Sequence, residues 1–208
     1  MTKLWRKEPP ARVAGVVPAA GSSARMGTPK ALLDAGGRSF VSAVVGALVG
    51  GGCDPVVVVV GPGQDDVVRR AKAAGAVTLV NPEPGEGPIT SLRLALPSLD
   101  AAVRGVALLP VDHPGVTPET VAHLVGAFLE GDAPLVLPTS GGRHGHPAVF
   151  SRRLFPALLD PSLQGGARTV VHQHLSEALS VDVDDPGILA DIDTPEAYRR
   201  TFGPEARP

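Results

Sequence analysis

Five consecutive valines, Val56–Val60, constrain what this chain can fold into more than any other stretch. A strand with one wet face alternates apolar and polar residues. An unbroken β-branched run must instead be covered on both faces, which parallel sheets achieve by packing helices on either side. Similar runs recur at Val13–Val17, Val77–Val80, Gly105–Leu109 and Pro134–Leu137, with shorter ones at Ala148–Phe150 and Leu179–Val183. Between them the spacing predicts helices over Phe40–Val49, Gln64–Ala74, Thr90–Leu96, Pro118–Glu130, Ser151–Leu159, Ala167–Leu175 and Pro195–Thr201. Thr117-Pro118-Glu119 and Thr194-Pro195-Glu196 each offer a capping hydroxyl followed by proline at the first helical position. Such alternation of strand and helix makes an α/β, Rossmann-like three-layer sandwich around a mostly parallel sheet.

In open parallel sheets ligands bind beyond the carboxyl ends of the strands, so the loops after Val17, Val80, Leu109, Leu137 and Val183 are where chemistry is expected. The first of them is the richest. Arg12 to Lys30 reads as a buried strand that ends in small residues, then Gly21, Ser22, Ser23, Arg25, Gly27 and Lys30. Gly21 and Gly27 let the backbone approach a ligand closely. Successive N–H groups with Ser22 and Ser23 can cradle phosphate oxygens, and Arg25 and Lys30 bring the positive charge a triphosphate needs. The chemistry is that of a nucleoside triphosphate loop, yet neither common pattern fits. Gly21 and Gly27 stand too far apart for a P-loop, and no G-x-G-x-x-G dinucleotide motif occurs here.

Composition narrows the partners. At 208 residues, with 43% hydrophobic and 19% charged residues, the chain is expected to form one globular domain, 1–208, with dispensable tails at Met1–Pro10 and Gly203–Pro208. Nineteen Lys and Arg against 21 Asp and Glu give a net charge of −2, which carries no electrostatic footprint for nucleic acid. The single cysteine, Cys53, is expected to pack as a small apolar residue. Lys3, Arg6 and Lys7 precede no apolar segment of a signal peptide, and no run approaches the ~20 apolar residues of a membrane helix. The expectation is a cytoplasmic protein with no membrane partner.

Ala19-Ala20-Gly21-Ser22-Ser23-Ala24-Arg25-Met26-Gly27-Thr28-Pro29-Lys30 resembles the signature loop of nucleotidyltransferases with a GT-A-like fold, A-A-G-x-S-x-R-M-G-x-P-K. Further segments match in the same order. Asp112-His113-Pro114 resembles the family's D-Q-P, departing at His113. Asp191-Ile192-Asp193-Thr194-Pro195-Glu196 matches D-I-D-T-P-E, and Gly85 to Leu92 the glycine-rich turn ending in Ser-Leu, with Pro88 where many relatives carry Met. Gly142 to Pro147 resembles G-R-R-G-H-P, with His144 for the second arginine, and Gly166-Ala167-Arg168 resembles G-A-R. The nearest similarity is to molybdenum cofactor cytidylyltransferases of the MobA/MocA-like group.

That resemblance implies transfer of a nucleoside monophosphate from a triphosphate to the terminal phosphate of an acceptor, molybdopterin, releasing pyrophosphate. It also implies a molybdoenzyme as eventual protein partner. Arg25, Lys30 and Asp112 would be catalytic, and Ala19, Ala20, Gly21, Ser22, Ser23, Gly27, Gly87 and Ser91 would bind nucleotide. Arg143, His146 and Arg168 would face the acceptor. Asp112 with Asp193 or Asp191 would hold Mg2+, a hard ion that shares carboxylate and phosphate oxygens. Capping by Thr194 or Asp193 competes with the second metal role, and an N-cap by Thr90 or Ser91 with the base-binding turn. His144 and His146 are two residues apart but lack a third partner for a transition metal, and His113 is expected to pack rather than ligate. Ala20 stands where guanine-using relatives carry glycine, which favours CTP over GTP. The cytidylyltransferase of methylerythritol phosphate, sugar-1-phosphate nucleotidyltransferases and a non-catalytic nucleotide-binding subunit are the other readings.

Overall fold

The computed structural model describes residues 10–21 and 29–203. In chain order the strands are β1 (Arg12–Pro18), β2 (Val56–Val60), β3 (Val77–Val80), β4 (Val103–Leu108), β5 (Leu135–Ser140), β6 (Arg143–His144), β7 (Ala148–Ser151) and β8 (Leu179–Asp182). The helices are α1 (Phe40–Gly50), α2 (Asp65–Ala73), α3 (Pro88–Ala95), α4 (Pro118–Glu130), α5 (Phe155–Leu159), α6 (Ala167–Gln173) and α7 (Pro195–Phe202). One sheet runs β3-β2-β1-β4-β7-β5-β6, with β8 added to β5. β1 pairs in parallel with both β2 and β4, and β2 with β3, while β7 runs antiparallel to β4 and β5.

The valine run behaves as its chemistry requires. Val56, Val58 and Val60 pack with α1, α2, α4 and α7 on one face. Val57 and Val59 pack with α3, α5 and α6 on the other. All five are at most 3% exposed, and full burial of each such side chain is worth ~1.5–3 kcal/mol against leaving it in water. The result is an α/β/α three-layer sandwich with a mostly parallel sheet, as expected. Its edge departs from the rule: β3 has only β2 beside it, and Val77 and Val80 remain 55% and 57% exposed.

Two helix starts depart from expectation by more than one residue, each through proline. α3 begins at Pro88, not Thr90, with Gly87 as its cap at φ 91°; the Thr90 hydroxyl donates back to the Gly87 carbonyl at 2.8 Å. Neither Thr90 nor Ser91 is therefore the cap. The segment Ser151–Leu159 is split: Ser151 ends β7, a 3-10 turn follows at Arg152–Leu154, and α5 begins only at Phe155. Pro156 lacks the N–H that a helix running from Ser151 would require there. The caps at Thr117 and Thr194 form as read, accepting from Thr120 N at 3.3 Å and Ala197 N at 3.1 Å. The two-residue β6, hairpinned onto β5, was too short to announce itself in the sequence.

Candidate active site

β1 delivers Ala19, Ala20 and Gly21 to the carboxyl edge of the sheet, where the Ala19 N–H is anchored on the Val59 carbonyl at 2.8 Å. Lys30 re-enters the described chain in a 3-10 turn, Lys30–Leu32. The β3–α3 loop is pinned by Asn81, 2% exposed, whose amide donates to Thr90 Oγ1 at 2.7 Å and accepts from Glu83 N at 3.0 Å. β4 hands the chain to Asp112, and the segment entering α7 brings Asp193. These elements enclose a cleft of about 400 Å3 lined by Ala19, Ala20, Gly21, Lys30, Gly87, Ser91, Asp112 and Asp193, with prolines and aliphatics between. Its size suits a small organic ligand.

Lys30 is the electrostatic centre. Its ammonium ion-pairs with Asp193 Oδ1 and lies 3.8 Å from Asp112 Oδ2. The backbone joins the acids too: the Ile192 N–H donates to the Asp112 carbonyl at 2.9 Å. Asp112 Oδ1 is buried with no hydrogen-bond partner. Burial pushes this carboxyl above the usual range, against the opposing pull of His113 and Lys30. Two acids that converge on one ammonium, with one buried oxygen left over, form a donor set of the kind a hard cation takes. Among the described residues no three His, Cys, Asp or Glu side chains converge as a ready-made cage. A metal here would draw its remaining oxygens from substrate and water.

Behind Asp112, two imidazoles pack together, His113 buried and His146 half-buried. His113 is 7% exposed, places Nδ1 3.4 Å from the Gly187 carbonyl, and stacks obliquely on His146 with ring centroids 4.7 Å apart. Burial and the neighbouring His113 drive the His146 pKa down to about 4, and its Nδ1 is buried without a partner. His113 thus packs, as expected. His144 does not join His146; it is exposed on β6 with Nε2 3.0 Å from Ser180 Oγ.

Eight of the residues expected at the site therefore meet in one cleft. Ser22, Ser23, Arg25 and Gly27 lie outside the described residues. Of the two acids of the Asp-Ile-Asp segment, Asp193 lines the cleft, whereas Asp191 is exposed and outside the lining. Arg143, His146 and Arg168 are also outside it: Arg143 is exposed on β6, and Arg168 is exposed at the start of α6, with Nε donating to His172 Nε2 at 3.3 Å. Two supporting residues went unread. Asn81 was signalled as a polar residue closing an apolar strand at its carboxyl end. Asp185, in Asp184-Asp185-Pro186, carried only a turn signal, yet it is 4% exposed and fully bonded.

The model of the MobA-like NTP transferase domain matches residues 15–178. The chain belongs to that family. It is similar, at 32% identity over 90% of its length and 95% of the other, to a protein of Paenarthrobacter nicotinovorans named nicotine blue oxidoreductase. It is 31% identical, over 88% of its length and 91% of the other, to a probable molybdenum cofactor guanylyltransferase of Mycolicibacterium paratuberculosis. Among solved structures, Rv0371c of Mycobacterium tuberculosis superposes with a TM-score of 0.77 at 29% identity, covering 94% of this chain and 99% of that one. A manganese complex of the same protein superposes at 0.73 with 26% identity, covering 92% and 98%. As a member of the MobA-like family the chain is a nucleotidyltransferase, and its α/β fold is the one its structural neighbours share.

Proposed function

We propose that the chain transfers a cytidylyl group from CTP to the terminal phosphate of a molybdopterin-type acceptor, with release of pyrophosphate. The observation that carries this reading is the cluster of Lys30, Asp112 and Asp193 against the Ala19–Gly21 turn in one cleft. An acceptor phosphate oxygen attacks the α-phosphorus as the bond to the bridging α–β oxygen breaks, and the electron pair leaves with pyrophosphate. A phosphate dianion needs no general base, so the site's work is positioning and charge stabilisation. Lys30 is suited to the developing charge on the transferred and leaving phosphates, together with Arg25. Ala20 and Gly21, with Ser22, Ser23 and Gly27, take the phosphates through backbone N–H groups and hydroxyls, on a turn that Ala19 anchors through its own N–H to the Val59 carbonyl. Gly87 and Ser91 border the base and ribose.

Asp112 and Asp193 are the residues that would hold Mg2+, or Mn2+ as in the manganese complex of the structural neighbour. The ion supplies charge neutralisation across the phosphates when bound. Arg143, His146 and Arg168, outside the cleft lining, are assigned to the acceptor. Removing either arginine's charge should raise KM for the acceptor and leave KM for the nucleotide unchanged.

For the base, Ala20 is 8% exposed and lines the cleft, which supports CTP. The named guanylyltransferase at 31% identity supports GTP as the second reading. Thermal shift with CTP, GTP, ATP and UTP, each with and without Mg2+, separates them. Ligand at ~100 times its Kd adds about 2.7 kcal/mol of stability. A Mg2+-dependent shift with CTP alone supports cytidylyl transfer, and one with GTP alone replaces it by guanylyl transfer. Pyrophosphate release on adding acceptor then tests transfer itself, and its absence with every nucleotide would sink the reading.

A further inference from the structure

We propose that Asp185 is a positioning residue that sets the spacing of Asp112 and Asp193; the link to metal binding rests on the function proposed above. Asp185 follows β8 and is 4% exposed. Its Oδ2 accepts from Thr117 N at 3.0 Å, Thr117 Oγ1 at 3.0 Å and Thr120 Oγ1 at 2.7 Å, and its Oδ1 accepts from Gly187 N at 2.8 Å. All four donors are neutral groups. Three come from the cap and first turn of α4, where the helix dipole also favours an anion.

This knot ties together two threads that lead to the two acids. One runs back from Thr117 through Gly115 and His113 to Asp112. The other runs forward from Gly187 through Ile188 and Ile192 to Asp193. The threads are pressed together along their length. A Cβ on Gly187 would lie 2.3 Å from the Gly115 carbonyl carbon, so glycine is required at this crossing. The Gly187 carbonyl faces His113 Nδ1 at 3.4 Å, the Ile188 carbonyl accepts the His146 N–H at 2.9 Å, and the Ile192 N–H reaches the Asp112 carbonyl at 2.9 Å. Asp185 touches neither acid and does not line the cleft. Its effect is on where the acids stand.

Capping α4 does not require this arrangement, since Thr117 already serves as the cap and accepts from Thr120 N at 3.3 Å. A buried carboxylate that draws three donors from one element and one from another is the feature that joins the threads. Removing its second acceptor oxygen should loosen both at once while leaving the sheet intact.

The test uses Asp185→Asn, with Leu124→Ala as a control that weakens α4 from the core side, Leu124 being fully buried. Amide hydrogen exchange needs no ligand. In Asp185→Asn, exchange should rise at least tenfold in residues 110–116 and 188–194 relative to the rest of the chain; in the control it should not. The second readout is Mn2+ titration by electron paramagnetic resonance in the presence of CTP or GTP. Asp185→Asn should raise the apparent metal constant about tenfold, with most of the turnover recovered at saturating metal. If Asp185→Asn folds poorly, Thr120→Val removes the shortest donor and should shift both readouts the same way by less. Unchanged exchange in the two segments overturns the proposal, as does a control that matches the variant. Raised exchange in a protein whose wild type binds no metal with any nucleotide would uphold the spacing role and instead overturn the function proposed for the acids.

Discussion

Asp112 and Asp185 are both largely buried carboxylates on loops at the same end of the sheet, yet they are bonded in opposite ways. Asp185 has four donors from the protein. Asp112 has an ammonium 3.8 Å from one oxygen, and on the other no hydrogen bond, only the His113 imidazole at 3.9 Å. Their proton affinities divide accordingly. Burial dominates at Asp112 and lifts its carboxyl above the ordinary range. At Asp185 burial pushes the same way, but the donors from Thr120, Thr117 and Gly187 outweigh it and hold the carboxyl below that range. The difference teaches how to tell scaffold from site in this fold: a carboxylate saturated by protein donors holds structure, while one left short of partners awaits a ligand.

The largest effect should come from exchanging the two roles by mutation. Asp112→Asn should cut the rate of pyrophosphate release by about 10^2–10^3-fold, the usual scale for losing a group that stabilises charge at a reacting centre, while unfolding free energy stays within ~1 kcal/mol of wild type. Asp185→Asn should do the reverse in stability, costing about 3 kcal/mol because donors are stranded in a buried place. Urea melts beside the activity assay measure both. Equal destabilisation by the two substitutions, with activity per folded molecule intact in both, would erase the contrast. The sign with pH follows for Asp185. A depressed carboxyl contributes stability that is present above its unfolded pKa, about 3.9, and is lost as pH falls through the folded value.

His146 sharpens the same comparison with a base in place of an acid. Buried beside His113, it stays neutral down to about pH 4, while in the unfolded chain it takes its proton near 6.5. Between those values the unfolded state binds more protons, so folding stability should fall as pH is lowered from about 6.5 to about 4. The groups facing it are His113, of the same sign when protonated, and Asp191, which opposes the shift. At 1.36 kcal/mol per unit the ceiling is ~3 kcal/mol. Urea midpoints at stepped pH should slope across that window in wild type and flatten in His146→Gln. A slope identical in both would assign the acid loss to the carboxylates alone.

Much of this was legible in the chain, and the boundary is physical. Val56–Val60 needed no tertiary information, because continuous β-branched residues state that both faces are covered, and the caps at Thr117 and Thr194 are local. The cleft was legible as a set of loops, since a parallel sheet gathers its carboxyl ends. Which partner each acid takes was not. Lys30 meets Asp193 across 163 residues of sequence, and Asp191, chemically its equal and two positions away, points elsewhere. Asp185 reaches Thr117 across 68 residues. A lone turn aspartate before proline gives no hint of that. The His113–His146 pair is invisible for the same reason. It needs the Ile188 carbonyl to hold the His146 backbone against the loop after β4.

The smallest test isolates one bond of the saturated carboxylate. Thr120 Oγ1 gives Asp185 its shortest contact, 2.7 Å. Thr120→Val keeps the shape and removes the hydroxyl, so the loss should be near ~1 kcal/mol, the net worth of a typical intramolecular hydrogen bond, and toward 2 kcal/mol because the acceptor is charged. Thr120→Ser keeps the hydroxyl, removes a methyl and should lie close to wild type. A loss in the serine variant as large as in the valine one would mean that packing at the 3%-exposed Thr120, not donation to Asp185, holds this corner. The saturated carboxylate would then be a consequence of the local structure and not its cause.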